Sequence, residues 1–481
     1  MRATATTRAT AANGRHSSLR SLCSFVATLL IAFALACRPA YAASPNVLLI
    51  VVESLRYDHL SGNGYSRPTT PCLDRLAAEG AAFRLAFAAS NWTMPSVMSL
   101  HTSTPPAVHG LTASNRRLTQ GLATLAGAFR QAGYATAGIV SNPLLNGKFG
   151  FARGFDLYDD FTIVNEVGVD FVEGDTVQPT LHQRDVSDQV TRQARNWLRR
   201  RDPSRPFFLF VFYFDPHYDY TPLPAYAAMF SDPDYNGAQD GKGITALQGK
   251  PLTASDKAQL MALYDAEIRY TDEHIGALLQ AVDTAGLRDR TITVVTADHG
   301  EEFWDHGGVA HGHTLYDELV HVPWIIRYPP RIPAGAVVGV QVTHLDLMPT
   351  LLDLAGLPVP AQCEGHSLVS VAEGKAPAAD APPAFFASQA RGRVAGARTP
   401  ALKLVEREGA PNPEMYAVRD DPQERTNLYG TAREQEFAAL NREFQQWKER
   451  MTLAANSAKP EPPIKLDAQL VRQLRSLGYA R

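Results

Sequence analysis

Five stretches of the 481-residue sequence place acids, imidazoles or a hydroxyl where they could do chemistry together. Glu53 closes an apolar run that begins at Asn46, Asp298-His299-Gly300-Glu301 follows a run that begins at Thr291, and Asp215-Pro216-His217 follows a third from Pro206. In doubly wound sheets functional groups sit just past the carboxyl ends of strands, so these ends are the first places to inspect. Two carboxylates and an imidazole can converge on one cation. Each acid alone is more often a helix cap or a solvated loop residue, and only together do they point to a site. Thr93, in Ser90-Asn91-Trp92-Thr93-Met94-Pro95-Ser96, stands at the start of an expected helix with proline in its first turn. It could serve only as an N-cap. Its hydroxyl would also face unpaired N–H groups and the positive end of the helix dipole, where an anionic ester is favoured, and a bound metal would make it nucleophilic. Asn91-Trp92-Thr93 also spells a glycosylation sequon, but a glycan there would sit on the proposed pocket. Asp305 to His313 puts three histidines and three glycines into nine residues, which is no ordinary core helix. His299, His306, His311 and His313 can bind metal, hold an anion or protonate a leaving oxygen, with surface-loop histidines as the alternative for His306 and His311.

The elements that must position these groups are legible as short Val-, Ile- and Phe-rich runs alternating with helical patterns. Asn46 to Val52, Ala135 to Val140, Pro206 to Phe214, Thr291 to Thr296 and Val322 to Arg327 lack polar alternation, as expected for strands buried on both faces of a sheet. Leu73 to Glu79, Leu122 to Ala132, Val186 to Arg200, Ala254 to Ala285 and Leu345 to Ala355 carry apolar residues at helical spacing. Pro, Gly and Asp interrupt any period in Phe161 to Arg184 and Thr221 to Lys250, which reads as two long loops and candidate substrate walls. The Ala- and Pro-rich stretch from Gly374 to Pro383 marks a boundary, beyond which lie strand-like pieces and a charged helix from Thr431 to Met451. The expected organisation is a signal peptide at 1–43, a catalytic domain at 44–380 and a C-terminal subdomain at 381–481.

Hydrophobic residues make up 45% of the chain and charged residues 20%, which excludes a mostly disordered or polytopic membrane protein. Residues 1–43 hold five arginines and no acid, leaving 41 basic against 49 acidic side chains elsewhere, so a nucleic-acid partner is not expected. Arg2, Arg8, Arg15 and Arg20 precede an apolar run from Leu22 to Ala36 and small residues at Ala40, Ala42 and Ala43. That is the pattern of a secretory signal, and the run is short for a membrane span. Secretion or a periplasmic location follows. An uncleaved anchor, or a lipid on Cys37, is the alternative. Outside this region only Cys72 and Cys363 remain, and in an oxidising compartment they either pair or stay as separate thiols.

The ordered motifs PNVLLIVVESLRYDHLSGNGYSRPTTPCLDRLAAEGAAF, YDAEIRYTDEHIGALL, TADHGEEF, HGHTLYDELVHVPWIIRYP and DLMPTLLDLAGLPVP resemble the sulfatase family of the alkaline phosphatase superfamily, and MYAVRDDPQERTNL and LRSLGY resemble its tail. The resemblance spans roughly residues 45 to 481. It implies an α/β fold with a large mixed, mostly parallel sheet sandwiched by helices, followed by a smaller C-terminal α+β subdomain. Sulfatases carry C-x-P-x-R or S-x-P-x-R, whose first residue becomes formylglycine, whereas this chain has Thr93 there and Val97 in place of the arginine. Formylglycine is therefore not expected. Glu53, Thr93, Asp298 and His299 are similar to the single-metal set of the lipoteichoic-acid-synthase-like and phosphoethanolamine-transferase-like branches, and His217 and His313 match positions that contact the anion.

These readings lead to a secreted, metal-dependent hydrolase of phosphate or sulfate esters. Thr93 is the nucleophile, His217 and His313 assist, and one divalent cation is held by Glu53, Thr93, Asp298 and His299. Oxygen-dominated ligation suits Mn²⁺, Mg²⁺ or Ca²⁺, with Zn²⁺ also compatible. The substrate would be a small molecule, or the ester of a glycan or lipid headgroup. A phosphoryl-group transferase of the cell envelope, and a catalytically silent homologue that binds glycans or headgroups, are the alternatives.

Overall fold

The computed structural model describes residues 44–160, 186–375, 381–457 and 461–466, with isolated positions up to 474. The expected signal peptide, the loop from Phe161 to Arg184, part of the Ala- and Pro-rich stretch and most of LRSLGY lie outside the described residues.

Among the described residues, ten strands precede the C-terminal sheet. They are β1 (Asn46–Val52), β2 (Ala81–Phe87), β3 (Ala135–Val140), β4 (Leu157–Asp159), β5 (Phe207–Tyr213) and β6 (Thr291–Ala297), then β7 (Glu302–Phe303), β8 (Val309–Ala310), β9 (Trp324–Arg327) and β10 (Ala336–Thr343). Eight of them form one sheet in the order β10-β2-β9-β6-β1-β5-β3-β4, while β7 and β8 make a small separate hairpin. β9 runs antiparallel to both neighbours and every other pair in the large sheet is parallel.

Central strands are apolar on both faces because both faces are covered. Val47, Leu49 and Val51 enter one core with residues of α2 (Thr93–Thr102), α3 (Leu125–Gln131) and α6 (Leu347–Leu354). Leu48, Ile50 and Val52 enter the other, with residues of α1 (Pro71–Ala78), α4 (Ser187–Arg200) and α5 (Ala254–Thr284). The parallel strands β1, β3, β5 and β6 therefore present their carboxyl ends side by side along one edge, as the sequence reading requires.

Four antiparallel strands, β11 (Ala384–Ser388), β12 (Val394–Arg398), β13 (Lys403–Arg407) and β14 (Glu414–Tyr416), form the second sheet. It is backed by α7 (Ala438–Ser457), whose Trp447 stacks on Phe385 of β11 with ring centroids 5.1 Å apart. Phe386, Val394 and Val405 pack with Phe87 and Leu319 of the first sheet's side. Buried Lys403 forms ion pairs of 2.8 Å with Asp317 across the same junction and with Glu424 of its own subdomain.

Several local expectations need correction. The charged helix starts at Ala438, because Glu434–Phe437 form a 3-10 turn. Thr221 to Lys250 is not wholly irregular, since Pro224–Phe230 is helical. Of the two alternatives left open for Cys72 and Cys363, the structure has the separate thiols. Cys72 lies against Gly276 of α5, while Cys363 packs beside the core formed by α2, α3 and α6. Among the described residues no helix is long and apolar enough to cross a membrane.

Candidate active site

Glu53, the first residue past β1, continues the strand by donating its backbone N–H to Tyr213 O at 2.9 Å, and its side chain is fully buried. Thr93 is the first residue of α2, with Trp92 in the cap position and no side chain capping the helix. Its hydroxyl does not serve as a cap. It donates to Glu53 Oε1 at 2.6 Å and lies 3.4 Å from His299 Nε2. Asp298 and His299 follow β6, and Asp298 Oδ1 accepts the backbone N–H of Ser54 at 3.0 Å and of His299 at 2.9 Å. Ser54 reaches that carboxylate from a left-handed conformation with φ of 53°.

The donor atoms converge. His299 Nδ1–H donates to Gly300 O at 2.8 Å, which leaves Nε2 as a lone pair turned inward. That nitrogen lies 3.3 Å from Asp298 Oδ2 and 3.8 Å from Glu53 Oε1. Asp298 Oδ2 is buried without a hydrogen-bond partner. Burial pushes Glu53 well above the ordinary carboxylate range and Asp298 adds to it, opposed by the bonds from Thr93 and Asn142. Burial also raises Asp298, with His299 opposing. Among the described residues no Lys or Arg pairs with either acid. Acceptors facing one another at such distances repel unless a cation stands between them, so the set fits a metal ion. The donors are two carboxylates and one imidazole, with a hydroxyl beside them.

Three further imidazoles surround this cluster. His311 is buried against His299, with ring centroids 4.3 Å apart, and against His217 at 5.2 Å. Its Nδ1 shares a hydrogen bond of 3.1 Å with the buried Glu301, whose carboxyl burial pushes well above the ordinary carboxylate range. Burial pushes His311 well below the ordinary histidine value, and the charges of His299, His217, Arg391 and His313 push the same way. His217 is fully buried, and its Nδ1–H donates to Tyr218 O at 2.5 Å. His313 faces Glu302, at 2.6 Å through Nε2, and its Nδ1 is buried without a partner. Against burial, the hydrogen bond and charge of His313 hold Glu302 below the ordinary carboxylate value.

The structure thus brings Glu53, Thr93, Asp298 and His299 together and adds His217 through His311, while His313 stands on the same loop, tied to Glu302. Asp215 does not converge with them. It accepts the N–H groups of Val186 and Ser187 at 3.0 and 2.8 Å and so caps α4. His311 departs from its surface-loop alternative because the β7–β8 hairpin turns its segment back so that its ring packs against His299. His306 does sit at the periphery, bonded to Glu318 at 2.6 Å. Asn91 is fully buried and donates to Thr314 O, so the sequon has no room for a glycan. Ser96 donates to Asp298 O at 2.5 Å and Ser99 pairs with His109 at 3.2 Å, so neither hydroxyl takes Thr93's place. Val97 is fully buried among apolar neighbours. Sequence reasoning missed Asn142, which donates to Glu53 Oε2 at 2.5 Å. The strand-end rule pointed to it, since β3 stops two residues earlier.

The family model described as Sulfatase matches residues 45–357, and that described as N-sulphoglucosamine sulphohydrolase, C-terminal, matches residues 306–450. The chain is 27% identical to the N-acetylglucosamine-6-O-sulfatase of Bacteroides thetaiotaomicron, over 84% of this chain and 85% of that protein. It is 28% identical to the multifunctional alkaline phosphatase superfamily protein PehA of Trinickia caryophylli, over 69% and 77% of the two chains. The crystal structure of the phosphonate monoester hydrolase of Agrobacterium radiobacter shares the fold with a TM-score of 0.70, at 23% identity, over 85% of this chain and 96% of that one.

Proposed function

The chain belongs to the sulfatase family of ester hydrolases, and from that premise we propose a secreted, metal-dependent hydrolase of phosphate or sulfate esters whose nucleophile is the unmodified hydroxyl of Thr93. The observation that carries the reading is the Thr93 hydroxyl, bonded to Glu53 at 2.6 Å beside the inward lone pair of His299. A divalent cation held by Glu53, Asp298 and His299 with Thr93 supplies positive charge that offsets the buried acids, acidifies the hydroxyl and neutralises ester oxygens.

The residues then divide the work. Glu53 Oε1 accepts the Thr93 proton as Oγ1 bonds to phosphorus or sulfur and the bond to the leaving oxygen breaks. His313, backed by Glu302, gives that oxygen its proton. His217, with both ring nitrogens protonated, and neutral His311, whose Nδ1 accepts from the protonated carboxyl of Glu301, donate Nε2–H to the remaining ester oxygens. Water next attacks phosphorus or sulfur and gives one proton to His313, while Glu53 returns its proton to Oγ1 as the Thr93–ester bond breaks and frees the inorganic anion. A threonine ester carries no second oxygen on its carbon to expel the anion by carbon–oxygen cleavage. Its breakdown must therefore go through attack at the central atom, which favours phosphate esters over sulfate esters. The relative that acts on N-acetylglucosamine 6-O-sulfate supports a small glycan as the ester's carrier, and the arginine-led apolar N-terminus supports secretion.

The test is a panel of phosphomonoesters, phosphodiesters and sulfate esters on metal-loaded protein, with acid-quenched samples taken for peptide mass spectrometry. A phosphate or sulfate adduct on the peptide containing Thr93 is the expected result. An adduct confined to another residue, or no turnover of any substrate, would sink the reading.

A further inference from the structure

Asn142 is buried, two residues past the end of β3, and both ends of its amide are engaged. Oδ1 accepts the N–H of Leu144 at 2.7 Å, which opens the 3-10 turn Pro143–Leu145. The amide nitrogen is therefore the end turned toward Glu53, and it donates to Oε2 at 2.5 Å. A flipped amide would lose both bonds. Thr93 donates to the other oxygen, Oε1, at 2.6 Å. Glu53 is thus divided, with one oxygen held by a neutral donor and one left facing Thr93 and His299. Because Asn142 carries no charge, it orders the carboxylate without replacing the cation that the buried acids call for.

We infer that Asn142 is a positioning residue that sets which cation the site accepts, by holding Glu53 to ligation through Oε1 alone. Ca²⁺ takes six to eight oxygens and accommodates two-oxygen carboxylates, whereas Mg²⁺ requires near-octahedral geometry that a two-oxygen carboxylate distorts. A Glu53 with Oε2 tied away suits the small octahedral ions Mg²⁺ and Mn²⁺ and disfavours Ca²⁺. Partners that orient a metal's ligands affect affinity strongly, typically by ~10- to 100-fold when replaced. The inference rests on Glu53 and Asp298 being ligands, as proposed above, and goes beyond that reading by naming what decides among the candidate ions.

The experiment uses the full chain stripped of metal and titrated calorimetrically with Mg²⁺, Mn²⁺ and Ca²⁺, comparing wild type, Asn142→Ser, Asn142→Asp and Asp298→Ala. Serine and aspartate both keep an oxygen that can accept from Leu144 N–H, so the turn survives while the donor to Glu53 is withdrawn. If serine unfolds the protein, aspartate still reports. The wild type is expected to bind Mg²⁺ and Mn²⁺ more tightly than Ca²⁺. Both Asn142 variants should weaken Mg²⁺ and Mn²⁺ by roughly 10- to 100-fold while Ca²⁺ weakens less, and should alter the electron paramagnetic resonance spectrum of bound Mn²⁺. A wild type that prefers Ca²⁺, or folded Asn142 variants that keep the wild-type ion ratio while Asp298→Ala loses metal, overturns the role of Asn142 alone. Full metal occupancy in Asp298→Ala overturns the ligand assignment beneath it.

Discussion

Thr93 donates to Glu53 across 2.6 Å, although the two belong to different elements separated by α1 and β2. The pair forms because β1 ends where α2 begins in space, and because Thr93, one place inside the helix, has no capping duty to satisfy. Thr93→Ala should leave the fold intact and lower turnover by roughly 10³-fold or more, as loss of a nucleophile does. It should cost about 1–3 kcal/mol of stability, since Glu53 Oε1 loses its donor. Thr93→Ser restores the hydroxyl and should recover most of both. Turnover in the alanine variant within tenfold of wild type, measured with several ester classes, would remove Thr93 from the chemistry.

Asp298 allows metal binding and metal-free stability to be separated. Its Oδ1 accepts two backbone N–H groups, while Oδ2 has no donor and faces the lone pair of His299 at 3.3 Å. In Asp298→Asn, the amide oxygen can keep the backbone bonds and the amide nitrogen can donate to His299 or Glu53. We expect this variant to lose its metal and yet, in chelator, to be more stable than wild type by about 1–3 kcal/mol. Elemental analysis and denaturant unfolding give the two readings. Retained metal, or a less stable chelated protein, would contradict the assignment.

The histidines should separate by leaving group. His313, with Glu302 behind it, is expected to matter for alkyl esters and little for esters of acidic phenols, which leave without protonation. His311 and His217 are expected to matter for both, with alanine at either costing roughly 10²-fold in kcat by analogy with a lost oxyanion donor, and with metal content unchanged. A leaving-group series measured on the three alanine variants checks this. Equal sensitivity at all three positions would merge their roles into anion binding.

Those assignments were legible to different degrees for physical reasons. β1, β3, β5 and β6 are buried on both faces, so their sequences are continuous apolar runs, and the groups past β1, β5 and β6 were found with them, whereas Asn142 past β3 was not. β2 was missed because AAFRLAF has three alanines and an exposed arginine and no β-branched residue, which leaves a weak strand signal. The direction of β9 is set by its partners β2 and β6, and nothing in its four residues encodes that. His306, His311 and His313 share a glycine-rich segment and look alike as residues. Only the β7–β8 hairpin decides that His311 turns inward and His306 toward Glu318.

Asp272, remote from the chemistry, gives a pH signature of the fold itself. It lies on α5 and accepts the N–H groups of Cys72 and Leu73 in the first turn of α1, at 2.8 and 2.9 Å. Burial pushes its carboxyl up to about 6 from 3.8, with those hydrogen bonds opposing. Between these values the folded state binds more protons than the unfolded chain. The contribution of Asp272 is therefore fully present below the unfolded value and is lost as pH rises to about 6, after which it is constant. Two pH units correspond to about 3 kcal/mol as an upper figure. Asp272→Asn cannot titrate, and the loss of charge at the helix start gives it a fixed offset. The stability of wild type minus that of Asp272→Asn should then fall by about 1–3 kcal/mol between pH 4 and pH 7 and stay level to pH 8. Urea unfolding across that range measures the difference. A difference that is flat, or that rises with pH, would mean that the hydrogen bonds to α1 outweigh burial and that Asp272 is ionised throughout.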